Sequence, residues 1–273
     1  MKISFAQPGL PTTGIAVVGV TSGGKLSESA EKLDKKTGGA VKRSIRASRF
    51  KGDKGQSLNI IAPAGVRLDR IMLVGLGKST DISELEIQKI GGRIYAETCR
   101  EIKASVTVAV DSVSGANMSA AEIAAQLGYG ARLRSYRFDK YKTKLKEVDK
   151  PSLKSITFQC ARFANARTTF RALEKIADGV FFTRDLVSEP ANILYPESFA
   201  KQAKTLDKLG VKVEVLGEAQ MRRLGMGALL GVGQGSIRES KLVVMQWNGG
   251  VGRARGKKAD NPVAFVGKGV TFD

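Results

Sequence analysis

A chain of 273 residues has room for about two domains, and 42% hydrophobic with 26% charged residues is ordinary for a globular protein. It contains no histidine, which excludes a Ser-His-Asp or Cys-His nucleophile system and a His-rich zinc site. The net charge of +19 favours anionic partners, or an acidic region or subunit that balances it, without by itself establishing nucleic-acid binding.

Any catalysis must therefore use Lys, Arg, Asp, Glu, Tyr, Ser or a metal held by oxygen and amine ligands. No apolar run approaches the roughly 18 residues that span a bilayer. Gln7, Pro8 and Pro11 interrupt the N-terminus before an h-region forms, so a cytoplasmic protein without membrane contact is expected. Cys99 and Cys160 lack a metal-binding spacing and read as reduced packing residues.

Taken in order, Phe5 with its neighbours and residues 15–20 give the first strand signals. Residues 27–36 are polar and helix-compatible. Residues 58–62 and 71–74 are short apolar runs bounded by Gly, Pro and charge, as buried strands are. Ser83 with Glu86 and Ser119 with Glu122 fit the capping box, in which each side chain satisfies an unpaired backbone N–H. The first opens a helix towards Ile102 with Leu85, Ile90, Ile94 and Cys99 on its face; the second opens one towards Leu133. Residues 105–110 between them, and 152–160 after them, read as strands. This alternation predicts an α/β layer fold.

From 168 to 187, Leu173, Ile176, Ala177, Val180 and Phe181 recur at helical spacing and predict a connecting helix between two domains. Pro190 forces an exit from it, and Pro196 suits the first turn of a new helix ending near Gly210. Residues 211–215 alternate as a half-buried strand, 242–247 fit a buried strand, and 251–261 a charged glycine-rich loop. Residues 263–266 predict a last buried strand. Parallel sheets need both faces covered, so missing sequence is expected after it.

Three segments invite chemistry. Gly75-Leu76-Gly77-Lys78-Ser79 imitates a phosphate loop, but Met72 stands where the first glycine is needed, and a tight turn is expected instead. Gly231-Val232-Gly233-Gln234-Gly235-Ser236 approaches the dinucleotide fingerprint, yet Ser236 replaces the third glycine, so a flexible loop is expected. Residues 132–147 interleave Arg132, Arg134, Arg137, Lys140, Lys142, Lys144 and Lys146 with Tyr136, Phe138 and Tyr141. Such a mixture either binds single-stranded nucleic acid by phosphate contact and stacking or is a solvated surface whose aromatics pack inward.

The chain closes on Pro262-Val263-Ala264-Phe265-Val266-Gly267-Lys268-Gly269-Val270-Thr271-Phe272-Asp273. Lys268 and Asp273 are either two solvated charges after a glycine turn or donors at the carboxyl edge of a strand, where ligands gather in open α/β sheets. A lysine amine ligates a metal only when deprotonated, which a nearby dication favours. A carboxylate can bridge two such ions.

This closing segment resembles the first metal-binding segment of the leucyl aminopeptidases, also called cytosol aminopeptidases. The likeness extends to Asp185-Leu186-Val187-Ser188-Glu189-Pro190-Ala191-Asn192 with Pro196, similar to the family's domain junction. It includes Gly225-Met226-Gly227 through Ser236, residues 242–249, and Ser135-Tyr136-Arg137-Phe138-Asp139-Lys140-Tyr141-Lys142. The resemblance implies an N-terminal macro-like α/β domain over 1–163, a connecting helix over 164–188, and over 189–273 the start of a zinc-exopeptidase-like α/β catalytic domain. It further implies a homo-hexamer that removes N-terminal residues from peptides with two divalent ions, Mn or Zn. Lys268 would ligate one ion and Asp273 bridge both. The family's remaining carboxylate ligands, its second active-site lysine and its arginine fall beyond Asp273, so a C-terminally truncated, inactive chain with no catalytic residue of its own is expected. Some bacterial members also bind DNA, for which Arg132, Arg134, Arg137, Lys140 and Lys142 are the candidates.

Overall fold

The computed structural model describes residues 1–101, 105–249 and 261–271. They form two compact units, Met1–Phe182 and Thr183–Asp273.

The first unit is built on one sheet. Its strands are β1 (Lys2–Ala6), β2 (Gly14–Thr21), β3 (Lys25–Leu26), β4 (Ser57–Ile61), β5 (Leu68–Gly77), β6 (Val106–Val110) and β7 (Ser155–Cys160). The order is β1-β7-β6-β2-β5-β4, with β3 paired to the end of β2. The first five of that order run parallel; β4 is antiparallel to β5. The near-continuous apolar run of β2 follows from its place in the middle, because a central parallel strand is covered on both faces. Ile15 and Val17 point to one core, with Met72, Ile87, Ile94, Ile123 and Phe158. Ala16, Val18 and Val20 point to the other, with Leu33, Val41, Ile45 and Leu73.

The helices α1 (Glu28–Lys36) and α2 (Ala40–Arg46) belong to the second core, and α3 (Glu84–Thr98), α4 (Ala120–Arg134) and α5 (Phe163–Ser188) to the first. Ser119 and Glu122 close a complete capping box: the Ser119 N–H donates to Glu122 Oε2 at 2.8 Å, and the Glu122 N–H to Ser119 Oγ at 3.3 Å. At Ser83 only half of the predicted box forms. Ser83 Oγ accepts from the Glu86 N–H, but the Glu86 carboxylate turns to Lys89 Nζ at 2.8 Å. Leu85 does not belong to the buried face of α3; it is exposed, and the ridge runs through Ile87, Ile90, Ile94 and Tyr95. The helical period sets this, since 85 lies off the stripe that 87, 90 and 94 define. The phosphate-loop lookalike is a turn: β5 ends at Gly77 with φ 76°, and a 3-10 turn over Ser79–Asp81 follows.

Cys160 is wholly buried in the first core. Burial pushes its thiol from 9.0 to about 11. The unfolded chain then loses this proton near 9 while the folded chain keeps it, so stability falls as pH rises from 9 to 11, by about 2–3 kcal/mol. Urea midpoints taken at pH 8 and 11 should fall further apart for the natural chain than for Cys160→Ala; equal separations would contradict this.

The second unit holds α6 (Pro196–Lys204), β8 (Lys212–Leu216), α7 (Glu218–Arg223), α8 (Gly227–Gly233) and β9 (Leu242–Gln246). Pro196 opens α6 as expected, and a 3-10 turn over Thr205–Leu209 delivers the chain to Gly210 at φ 85°. β8 and β9 form an antiparallel pair. Glu218 ties α7 to the start of β9, accepting from Arg222 Nη2 at 2.9 Å and from the Ser240 N–H at 3.1 Å.

Three expectations are corrected here. Residues 231–233 are helical rather than loop, because Ala228, Leu229 and Leu230 are good helix formers and carry the neighbouring glycines through two turns. β9 is half-exposed rather than buried, and Trp247 after it is exposed. A two-stranded ribbon has too few neighbours to cover both faces. Residues 263–266 are not a strand. Val263, Phe265 and Val266 are exposed, and no strand among the described residues pairs with them. An apolar run becomes a strand only where a neighbour offers a hydrogen-bonding edge.

Candidate functional site

The segment carrying Lys268 runs over residues 261–271 without regular structure. Within it Gly269 lies against the ring of Phe199 on α6. A Cβ there would stand 2.7 Å from Phe199 Cε1, whereas one at Gly267 would meet nothing within 4 Å. Of the two glycines flanking Lys268, only Gly269 is thus required by space. Phe199 was not anticipated as part of this region; the only sequence signal was the glycine it forces. Lys268 itself is exposed.

Asp273, the second expected donor, lies outside the described residues. Among the described residues no group of three or more His, Cys, Asp or Glu side chains is placed to hold a metal ion. A divalent ion of this type takes about four or more donors. The described residues therefore do not make up a complete metal centre.

The basic segment sits in the first unit, and several of its charges have local partners. Arg132 and Arg134 close α4. The Arg132 guanidinium lies 4.7 Å over the ring of Phe181 and donates to Asp178 Oδ1 at 3.3 Å. Burial works to raise the Asp178 carboxyl, but hydrogen bonds from Lys175 and Arg132 outweigh it and bring it below its usual value. Arg137 Nε and Lys142 Nζ both reach Asp139, at 2.5 and 3.1 Å, and hold that carboxyl low. Lys140 Nζ is 5.3 Å from the Tyr141 ring. Tyr136 packs on Phe181 at 5.2 Å and Phe138 on Tyr141 at 5.8 Å. Tyr136 and Arg132 thus anchor the end of α4 to α5, and Tyr141 remains half exposed.

Residues 17–145 match the model of the cytosol aminopeptidase family, N-terminal domain, and residues 181–273 that of the cytosol aminopeptidase family, catalytic domain. A probable cytosol aminopeptidase of Caulobacter vibrioides is 43% identical over 275 residues, covering 100% of this chain and 53% of the relative. One from Chelativorans sp. is 45% identical, covering 99% and 52%. A solved structure of a tomato leucine aminopeptidase mutant superposes with a TM-score of 0.72 at 25% identity, covering 89% of this chain and 50% of that one. The chain spans about half the length of the curated relatives it matches. No helix among the described residues is long and apolar enough to cross a membrane.

Proposed function

Because this chain belongs to the cytosol aminopeptidase family, we propose that it provides the N-terminal domain and the opening of the catalytic domain of an aminopeptidase that releases N-terminal residues from peptides in the cytoplasm. The observation that carries this reading is the match of residues 181–273 to the family's catalytic domain. The Gly267-Lys268-Gly269 segment lies within that match.

In this reading Lys268 and Asp273 would be two of the donors that hold a pair of divalent ions, Mn or Zn. The family resemblance of the closing segment supports these assignments. Such ions, when bound, activate a water and polarise a scissile carbonyl. The glycine at 269 is what allows the backbone next to Lys268 to pass the Phe199 ring, so Phe199 sets where that lysine emerges. A homo-hexamer is the assembly the resemblance supports for the complete enzyme.

Two donors leave either ion short of a full coordination set. The 273-residue polypeptide on its own is therefore expected to bind Mn(II) or Zn(II) weakly and to release no leucine from leucyl amide. Calorimetric titration of each metal into the purified polypeptide should give weak binding heats that Lys268→Ala and Asp273→Ala each diminish. Tight binding indifferent to both substitutions, or metal-dependent release of leucine, would overturn the assignment.

A further inference from the structure

α3 and α4 cross with almost no side chain between them. A Cβ at Gly91 would lie 2.0 Å from the Leu127 carbonyl oxygen, and one at Gly130 would lie 1.9 Å from that of Gln88. This close crossing leaves an open groove of about 800 Å³ beside it, bounded on its far side by the loop that carries Lys54 and Gly55. That volume lies within the range of about 300–1,000 Å³ typical of ligand pockets.

The lining has a consistent character. Ile90, Gly92, Ala96, Gly130 and Leu133 give it an apolar surface, and Lys54, Lys89, Arg93 and Arg134 stand around it. Two of these cations are already engaged: Lys89 with Glu86 at 2.8 Å and Arg93 with Glu97 at 3.8 Å. Glu97 also accepts from Ser57 Oγ at 2.7 Å. The side chains of Lys54 and Arg134 have no ion-pair partner among the described residues.

We propose that this groove binds an acidic peptide segment, with aliphatic side chains on the Ile90–Leu133 surface and carboxylates on Lys54 and Arg134. Charge complementarity favours an anionic occupant, and the overall charge of +19 would draw one in. The apolar lining and the carboxylates of Glu86 and Glu97 select a peptide over a nucleic acid. A continuous phosphate backbone would have to pass both glutamates and would leave the apolar surface unused, whereas a peptide can alternate the two kinds of side chain.

The test is fluorescence anisotropy with a labelled short peptide alternating glutamate and leucine, titrated with the full chain. Lys54→Ala combined with Arg134→Ala should weaken binding about tenfold or more. Gly92→Leu, which removes no charge, should weaken it similarly by filling the groove; the Gly92 Cβ would meet nothing closer than 3.6 Å. Unchanged thermal melts would show that both variants remain folded. Binding that persists in both variants would overturn the proposal. So would equal affinity for a peptide alternating glutamate and serine, or a single-stranded oligonucleotide that binds more tightly at the same two residues.

Discussion

Gly130→Ala is expected to destabilise the N-terminal unit by about 2 kcal/mol net. Alanine ordinarily improves a helix by about 1 kcal/mol over glycine, so the sign depends on what the added methyl meets. At Gly130 it meets the Gln88 carbonyl oxygen at 1.9 Å, an atom held in place by the hydrogen bonds of α3. The helices must separate, and with them the packing of Ile87, Ile90, Ile94, Ile123 and Leu127. Overpacking of this kind costs about 1–3 kcal/mol and sometimes more, which exceeds the propensity gain. A domain stable by about 5–15 kcal/mol would notice the loss. Gly92→Ala, on the facing helix α3, is the control. Its methyl would find ordinary contacts at 3.6 Å, so propensity should win and stability should rise by up to about 1 kcal/mol. Urea midpoints that move together in the two variants would contradict the crossing described here.

Much of the N-terminal unit was legible from local pattern. The apolar run at 15–20 announced a strand, and Ser83 and Ser119 marked where α3 and α4 begin. Less legible were features that depend on a partner distant in sequence. Nothing local says that β4 runs antiparallel at the sheet edge, or that Glu86 prefers Lys89 to the N-cap. An apolar run reports a demand for burial but does not say what meets it. Residues 263–266 therefore read as a strand, although no edge among the described residues receives them. The groove beside α3 and α4 was invisible for a similar reason, since it arises where two glycines allow the helices to touch.

The candidate site was legible in a different manner. Lys268 between two glycines is consistent with a bland turn, and only the resemblance to a family made it a candidate metal donor. The contact between Gly269 and Phe199 adds a physical reason for one of those glycines. Its neighbour Gly267 has open space around it, so packing within the described residues does not explain that glycine.

The second large effect concerns Lys268 within a complete catalytic domain. A chimera would carry residues 1–273 in place of the matching half of the Caulobacter vibrioides relative, which is 43% identical over that stretch. At such identity the apolar side chains left exposed in the second unit, Val263, Phe265 and Val266 among them, should find a near-native counterpart in the grafted half. If Lys268 donates to a catalytic ion, its loss removes metal-derived stabilisation of about 4 kcal/mol, about a thousandfold in rate. A lysine that merely caps a glycine turn would change little, since exposed charges contribute about 0–1 kcal/mol. The deciding measurement is kcat for release of leucine from leucyl amide by the Mn-loaded chimera, with metal content read alongside. The expected result is an active chimera whose Lys268→Ala variant is folded, short of metal and about a thousandfold slower. A folded chimera in which Lys268→Ala retains both its metal and its kcat would contradict it.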